Sequence, residues 1–164
     1  MNAHEQLIAD FYTAFQKRDG EAMADCYHDE VFFYDPVFQD LQGARAKSMW
    51  KMLCRNVREL SIEFGEISAP DEYGSCAWTA VYRFPGTGRR VTNKVKARFK
   101  FQDGKIIEHM DDFDIWNWSA QAMGIKGLLL GWTSAMKNKI RGNARKGLDL
   151  YIKRNPPDKK EPNG

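Results

Sequence analysis

Two short stretches of this chain carry side chains that could move a proton. The first is Tyr27-His28-Asp29-Glu30-Val31-Phe32-Phe33-Tyr34-Asp35-Pro36-Val37, where Asp35 sits among Phe32, Phe33, Tyr34, Val37 and Phe38. A carboxylate in such surroundings loses hydration. Desolvation raises its pKa and makes it an acid or base that works near neutral pH. Asp-Pro is also a common turn dipeptide, and Pro36 stops a strand. Sequence leaves both readings of Asp35 open.

The second stretch is the strand expected over about 105–116. Its alternation puts Ile107, His109, Asp111, Phe113 and Ile115 on one face and Glu108, Met110, Asp112, Asp114 and Trp116 on the other. With the first set turned inward, His109 and Asp111 lie two residues apart on an otherwise apolar concave surface. A neighbouring carboxylate orients an imidazole and holds its tautomer, as acid–base catalysis requires. The acids on the other face show that this strand also tolerates charge outside, and a bulge would invert the parity. Asn93 interrupts an apolar strand face, where it either donates to a ligand oxygen or satisfies a buried backbone group. Tyr12, Tyr34, Trp50, Trp78, Tyr82 and Phe113 are candidates to line a ligand pocket. The competing reading is that these aromatics are simply core. His4 and His28 read as solvated.

These groups need a frame to hold them. Residues 3–17 read as an amphipathic helix with Leu7, Ile8, Phe11, Tyr12 and Phe15 on one stripe. Asp19-Gly20 breaks it, and Asp19 can cap a short helix over 20–27. A strand follows over 31–35. Gly43 then precedes a helix over about 44–57, with Ala46, Met49, Trp50, Leu53 and Val57 on one face. Strand signals follow: Leu60, Ile62 and Phe64 alternate before a bulge at Gly65; Trp78, Ala80, Tyr82 and Phe84 alternate before the Pro85–Gly88 hairpin. Val91, Asn93, Val95, Ala97, Phe99 and Phe101 then face opposite to Thr92, Lys94, Lys96, Arg98 and Lys100. Helices followed by antiparallel strands give an α+β class, with a curved, mainly antiparallel sheet wrapping the N-terminal helices.

The order of these elements resembles the SnoaL-like, ketosteroid-isomerase-like branch of the nuclear transport factor 2 superfamily. The resemblance runs over roughly residues 5–118: a helix, Asp19, a short helix ending in Tyr27, Asp35-Pro36, then Gly43 before a long helix. The run Asp112–Gly124 followed by Gly127–Trp132 looks like an uncharacterised bacterial subgroup. The resemblance implies a cone-shaped α+β barrel and a homodimer, but specifies activity poorly, because the fold hosts isomerases, dehydratases, epoxide hydrolases, cyclases and non-catalytic binders. By resemblance, the isomerase's general-base aspartate falls on Asp35. Its oxyanion tyrosine falls on Phe11, with Tyr12 one position off, and its protonated aspartate falls on Ala97. A hole without donors cannot stabilise a dienolate, which argues against true ketosteroid isomerase activity. His109 with Asp111 could supply the acid–base role that an acidic residue plays in cyclases of the fold. Ala97 and His109 both fall where the family points inward.

Beyond the expected cone domain, residues 1–124, a helical extension covers 125–154 and a disordered tail 155–164. Met136, Ile140, Ala144, Leu148 and Ile152 recur every four residues beneath Lys137, Lys139, Arg141, Arg145, Lys146, Lys153 and Arg154. Such a stripe either packs on its own domain or a second subunit, or, with Leu128, Leu129, Leu130 and Trp132, meets a membrane surface or acidic partner. Residues 133–164 hold nine Lys or Arg against three Asp or Glu, although the whole chain carries only +3. No basic groove or recognition motif marks a nucleic-acid binder. Aromatics at 13% suit a lined cavity or an interface. The scattered Cys26, Cys54 and Cys76 fit reduced thiols in a cytoplasm, and no Cys or His pair has metal-ligand spacing. Neither a signal peptide nor a membrane span is expected.

The sequence therefore points to a cofactor-independent acid–base enzyme acting on a small, mostly apolar molecule. Asp35 would move a proton, with His109 and Asp111 as its counterpart. The alternatives are a non-catalytic small-molecule-binding or dimeric interaction module, and a peripheral membrane protein.

Overall fold

The computed structural model describes residues 1–157. Its elements are α1 (Ala3–Gln16), α2 (Gly20–Asp25), β1 (Tyr27–Asp35), β2 (Gln39–Gln42), α3 (Ala44–Asn56), β3 (Arg58–Ser68), β4 (Tyr73–Arg83), β5 (Arg90–Gln102), β6 (Lys105–Asp112), α4 (Ile115–Met123), α5 (Ile125–Leu130) and α6 (Ser134–Arg154). The strands form one curved sheet in the order β2-β1-β6-β5-β4-β3. All neighbours are antiparallel except β1 and β6. The expected α+β architecture, a cone-like sheet around N-terminal helices, is what forms.

α1 is held by an Asn2–Glu5 capping box, and it buries Ile8, Phe11, Tyr12 and Phe15 against the concave face of the sheet. α3 buries Ala46, Met49 and Trp50 in the same core. Asp19 caps α2 as its position suggests, with its side chain accepting from the Ala22 amide.

Three local expectations need correction, and one strand is new. The second helix ends at Asp25 rather than Tyr27, because the Cys26 carbonyl accepts from the Ile106 amide and Tyr27 pairs with Ile106. Ladder hydrogen bonds there outweigh another half-turn of helix. β2 is too short to show a periodic pattern and escapes a sequence reading. The last strand stops at Asp112 and not 116, because Asp114 Oδ1 accepts from the Trp116 and Asn117 amides and starts α4. His4 is not fully solvated: its ring stacks on Phe101 at 4.3 Å between centroids.

The extension packs back on the cone. α6 buries Ile140 and Leu148, and Met136, Ala144 and Ile152 lie partly buried against the core. Its basic residues also reach the domain. Arg141 Nε donates to the Pro36 carbonyl at 3.0 Å, Arg145 Nη2 to Gln39 Oε1 at 3.3 Å, and Asp149 pairs with Arg45 at 2.8 Å. The apolar stripe of this helix therefore covers its own domain. Asn155 caps the end of α6, and Pro156 and Pro157 have no regular structure. The rest of the expected disordered tail, 158–164, lies outside the described residues.

α4 and α5 meet at Gly124, whose φ of +69° favours glycine. They approach so closely that a Cβ on Gly127 would collide with the Ser119 carbonyl. Gly127→Ala is expected to destabilise the protein by about 1–3 kcal/mol, since backbone rather than a flexible side chain must yield. Denaturant unfolding measures this, and an unchanged midpoint would contradict the packing described.

Candidate active site

The site grows from the one parallel pairing in the sheet. Phe33 on β1 lies beside His109 on β6, and Tyr34 lies beside Met110. One residue further along the two strands come Asp35 and Asp111. Two parallel strands thus deliver a carboxyl group each to the same end of the concave face. A register shift between Lys100 and Phe101 on β5 alters the inward parity of β6, so that Ile106 and not Ile107 is buried, while His109 and Asp111 remain inside.

His109 is fully buried and Asp111 is 3% exposed. They belong to a chain of hydrogen bonds whose direction can be deduced. An indole nitrogen only donates, so Trp50 Nε1 donates to the Tyr27 hydroxyl oxygen at 2.7 Å. The hydroxyl proton is then directed to His109 Nδ1 at 2.6 Å. With the ring neutral, Nε2 carries the imidazole proton and donates to Asp111 Oδ1 at 2.8 Å. The same oxygen accepts from Trp78 Nε1 at 3.3 Å. This arrangement satisfies every member of the chain and fixes the imidazole tautomer. The ring is clamped by aromatic neighbours, stacked on Trp50 at 5.8 Å and met edge-on by Phe11 and Phe33 at 5.5 and 5.2 Å.

Asp35 closes a turn, as its Asp-Pro dipeptide suggests. Its Oδ1 accepts from the Val37 amide at 2.8 Å and the Phe38 amide at 2.6 Å, closing the turn at Pro36. The residue also stands in the wall of an apolar cavity. Burial pushes its carboxyl from the usual 3.8 up to about 7; the Phe38 amide opposes the rise and the Asp111 charge adds to it. Desolvation thus outweighs amide hydrogen bonds that by themselves favour the anion.

The cavity has a volume of about 440 Å³. Its wall contains Asp35, Asp111, Trp50, Trp78, Tyr82, Asn93 and Phe113 of the residues expected from sequence. The other three expected residues are corrected. His109 does not line the cavity and stands behind Asp111 and Trp50, which do. Tyr12 is core: it is fully buried, stacks on Phe64 at 5.5 Å, and its hydroxyl has no hydrogen-bond partner among the described residues. Tyr34 stands on the face of β1 opposite Phe33 and Asp35. Phe113 reaches the wall from the link between β6 and α4, not from the strand.

Sequence reasoning missed three contributors. Tyr27 reads as a helix end, yet it holds the middle of the buried relay. Trp118 on α4 lines the cavity and donates from Nε1 to the Tyr82 hydroxyl at 2.7 Å. Ile140, Asn143, Ala144 and Gly147 of α6 close one side of the cavity. The four-residue apolar spacing of α6 was the only signal, and it says nothing of what the helix covers. Among the described residues no three of His, Cys, Asp and Glu gather as metal ligands, and all three cysteines are buried.

The fold has relatives. A family model described as a SnoaL-like domain matches residues 8–109. None of the curated proteins compared matches the chain. Among solved structures, a putative polyketide cyclase from Pseudomonas putida superposes with a TM-score of 0.59 at 18% identity, over 74% of this chain and 98% of that one. An LEH-like epoxide hydrolase of M. tuberculosis superposes with a TM-score of 0.62 at 20% identity, over 81% and 94%. An NTF2-like protein of unknown function from Burkholderia pseudomallei gives 0.60 at 19% identity, over 70% and 92%. At these identities the likeness is one of fold.

The raised Asp35 carboxyl has a consequence for stability. The folded state holds its proton more tightly than the unfolded chain, so the carboxyl's contribution is intact below about pH 4 and is lost as pH rises through about 7. The loss amounts to no more than about 4 kcal/mol at about 1.4 kcal/mol per pKa unit. Asp35→Asn keeps an Oδ1 acceptor for the turn and removes the charge. It is expected to be about as stable as the parent at about pH 4 and more stable at about pH 8. Urea unfolding at both pH values checks this, and a parent whose stability does not fall between them contradicts the buried carboxyl.

Proposed function

This chain belongs to the SnoaL-like domain family, and on that premise we propose that it is a cofactor-independent acid–base enzyme acting on a small, mostly apolar molecule held in the cone. The observation that carries this reading is the convergence of Asp35 and Asp111 on one apolar cavity in unlike settings. Two carboxyl groups whose environments differ divide into an acid and a base. Asp35 keeps a proton to about pH 7 and is the acid. Asp111, which accepts from the His109 and Trp78 N–H groups, is the base. His109, Tyr27 and Trp50 are positioning residues that hold Asp111 and its imidazole partner in place.

The wall also supports a way to bind oxygen. Phe11 and Ala97 supply no donors where a ketosteroid isomerase has its oxyanion hole. The Tyr82 hydroxyl accepts from Trp118, so its own proton is free to donate, and Tyr82 stands in the same wall as Asp35. Protonated Asp35 and Tyr82 together would receive a carbonyl, enol or epoxide oxygen, while Asp111 removes a proton from carbon or from a water. This is chemistry of the isomerase, cyclase, dehydratase or hydrolase type, without the isomerase's own donor set.

The test is turnover of a panel of hydrophobic ketones and epoxides, followed by mass spectrometry, with Asp35→Asn, Asp111→Asn and Tyr82→Phe compared to the parent. Both Asn variants are expected to lose turnover by about 100-fold or more while remaining folded. Tyr82→Phe is expected to lose about 10- to 100-fold, mostly in kcat. Undiminished turnover in both Asn variants would overturn the reading. Tight binding of an apolar ligand without turnover in the parent would make the chain a binding module.

A further inference from the structure

Most of the exposed large hydrophobic side chains among the described residues lie outside the cavity, around α5. Ile125 is 76% exposed, Leu129 62% and Trp132 63%, and Leu128, Leu130 and Trp116 are each close to half exposed. These residues form one patch. Trp116 Nε1 donates to the Leu128 carbonyl at 2.9 Å and Trp132 Nε1 to the Leu129 carbonyl at 3.0 Å, which ties both indoles to the α5 backbone. Gly127 on the buried side of this short helix and Gly131 at its C-terminal cap face the domain. Large contiguous apolar patches on a domain surface mark interaction sites.

The surroundings of the patch are basic. From 115 to 148 the chain has six Lys or Arg and no Asp or Glu. Lys126 is exposed within α5, and Lys137 and Lys139 follow Trp132 in the first turns of α6. The exposed Arg89 reaches in from the β4–β5 hairpin, with its Nε on the Gln121 carbonyl and its guanidinium 3.3 Å from where a Gly124 Cβ would stand. The adjacent acid, Asp114, is engaged in capping α4.

We propose that this patch docks the protein on an anionic lipid bilayer, with Ile125, Leu128, Leu129 and Trp132 seated among the acyl chains and Lys126, Lys137, Lys139 and Arg89 at the headgroups. An aliphatic centre, an indole that suits the interface and a cationic rim are the chemistry of a surface-bound amphipathic element. A two-fold contact between copies would bring the same cations face to face, which argues against self-association through the patch. No helix among the described residues is long and apolar enough to cross a membrane, so docking would be peripheral. The stripe of α6 is not the contact, because it covers the cavity side of the domain.

The patch residues lie outside the cavity wall, so binding is measured independently of turnover. The full chain is sedimented with vesicles of phosphatidylcholine alone and of phosphatidylcholine mixed with phosphatidylglycerol, at low and high salt. The parent is expected to bind the anionic vesicles at least about tenfold more tightly, with the difference shrinking as salt rises. Leu129→Glu and Lys126→Glu, both at exposed positions, are each expected to weaken that binding about tenfold with unchanged melting temperature. Absence of binding to either vesicle, or equal binding by the parent and both variants, would overturn the proposal. So would a parent that is dimeric without lipid and becomes monomeric on Leu129→Glu, because the patch would then be a protein interface.

Discussion

The arrangement of this protein depends on the parallel pairing of its first and last strands. Antiparallel neighbours could have placed Asp35 and Asp111 at opposite ends of the sheet. The register that sets Phe33 beside His109 instead carries both carboxyl groups to one end of the concave face. The long path between β1 and β6, with a helix and four strands, is what lets two distant segments run side by side in the same direction. The polar relay from Trp50 through Tyr27 and His109 to Asp111 spans that pairing and is fully buried. Losing one member would leave its neighbours unsatisfied in a low dielectric, so the relay and the register support each other.

The second constraint is dryness. The cavity wall is overwhelmingly apolar, and α4 and α6 close what the sheet and α3 leave open. Removing water is what raises the Asp35 carboxyl despite amide hydrogen bonds that favour its anion. The C-terminal extension is therefore part of the site: without Trp118, Ile140 and Ala144 on that side, the carboxyl would be more open to solvent and the desolvation on which its chemistry rests would weaken.

Much of this was legible in the residues. The aromatic flanks of Asp35 announced a carboxyl in poor solvent, and the alternation of β5 and β6 placed His109 and Asp111 inside even though a bulge exchanged Ile107 for Ile106. The stripe of α1 and the Asp19 cap also formed as patterned. Other features were decided by partners that sequence does not show. Tyr27 joins β1 because Ile106 is there to pair with it. Asp114 sits in a run of acids that reads as strand, yet its side chain caps a helix. Tyr12 and Tyr34 have the composition of pocket residues, but one packs against Phe64 and Trp78 and the other faces away. The spacing of α6 marked an apolar face without showing that the face would close a cavity.

The claim at the centre of this account is that the cavity keeps a proton on Asp35 near neutral pH. A carboxyl-detected NMR titration of the protein, with Asp35→Asn to assign the resonance, measures it directly. The account predicts that the Asp35 resonance titrates with a midpoint near 7. A midpoint close to the ordinary value of 3.8 would mean that the carboxyl is solvated and only caps its turn, and the acid–base reading would fall with it.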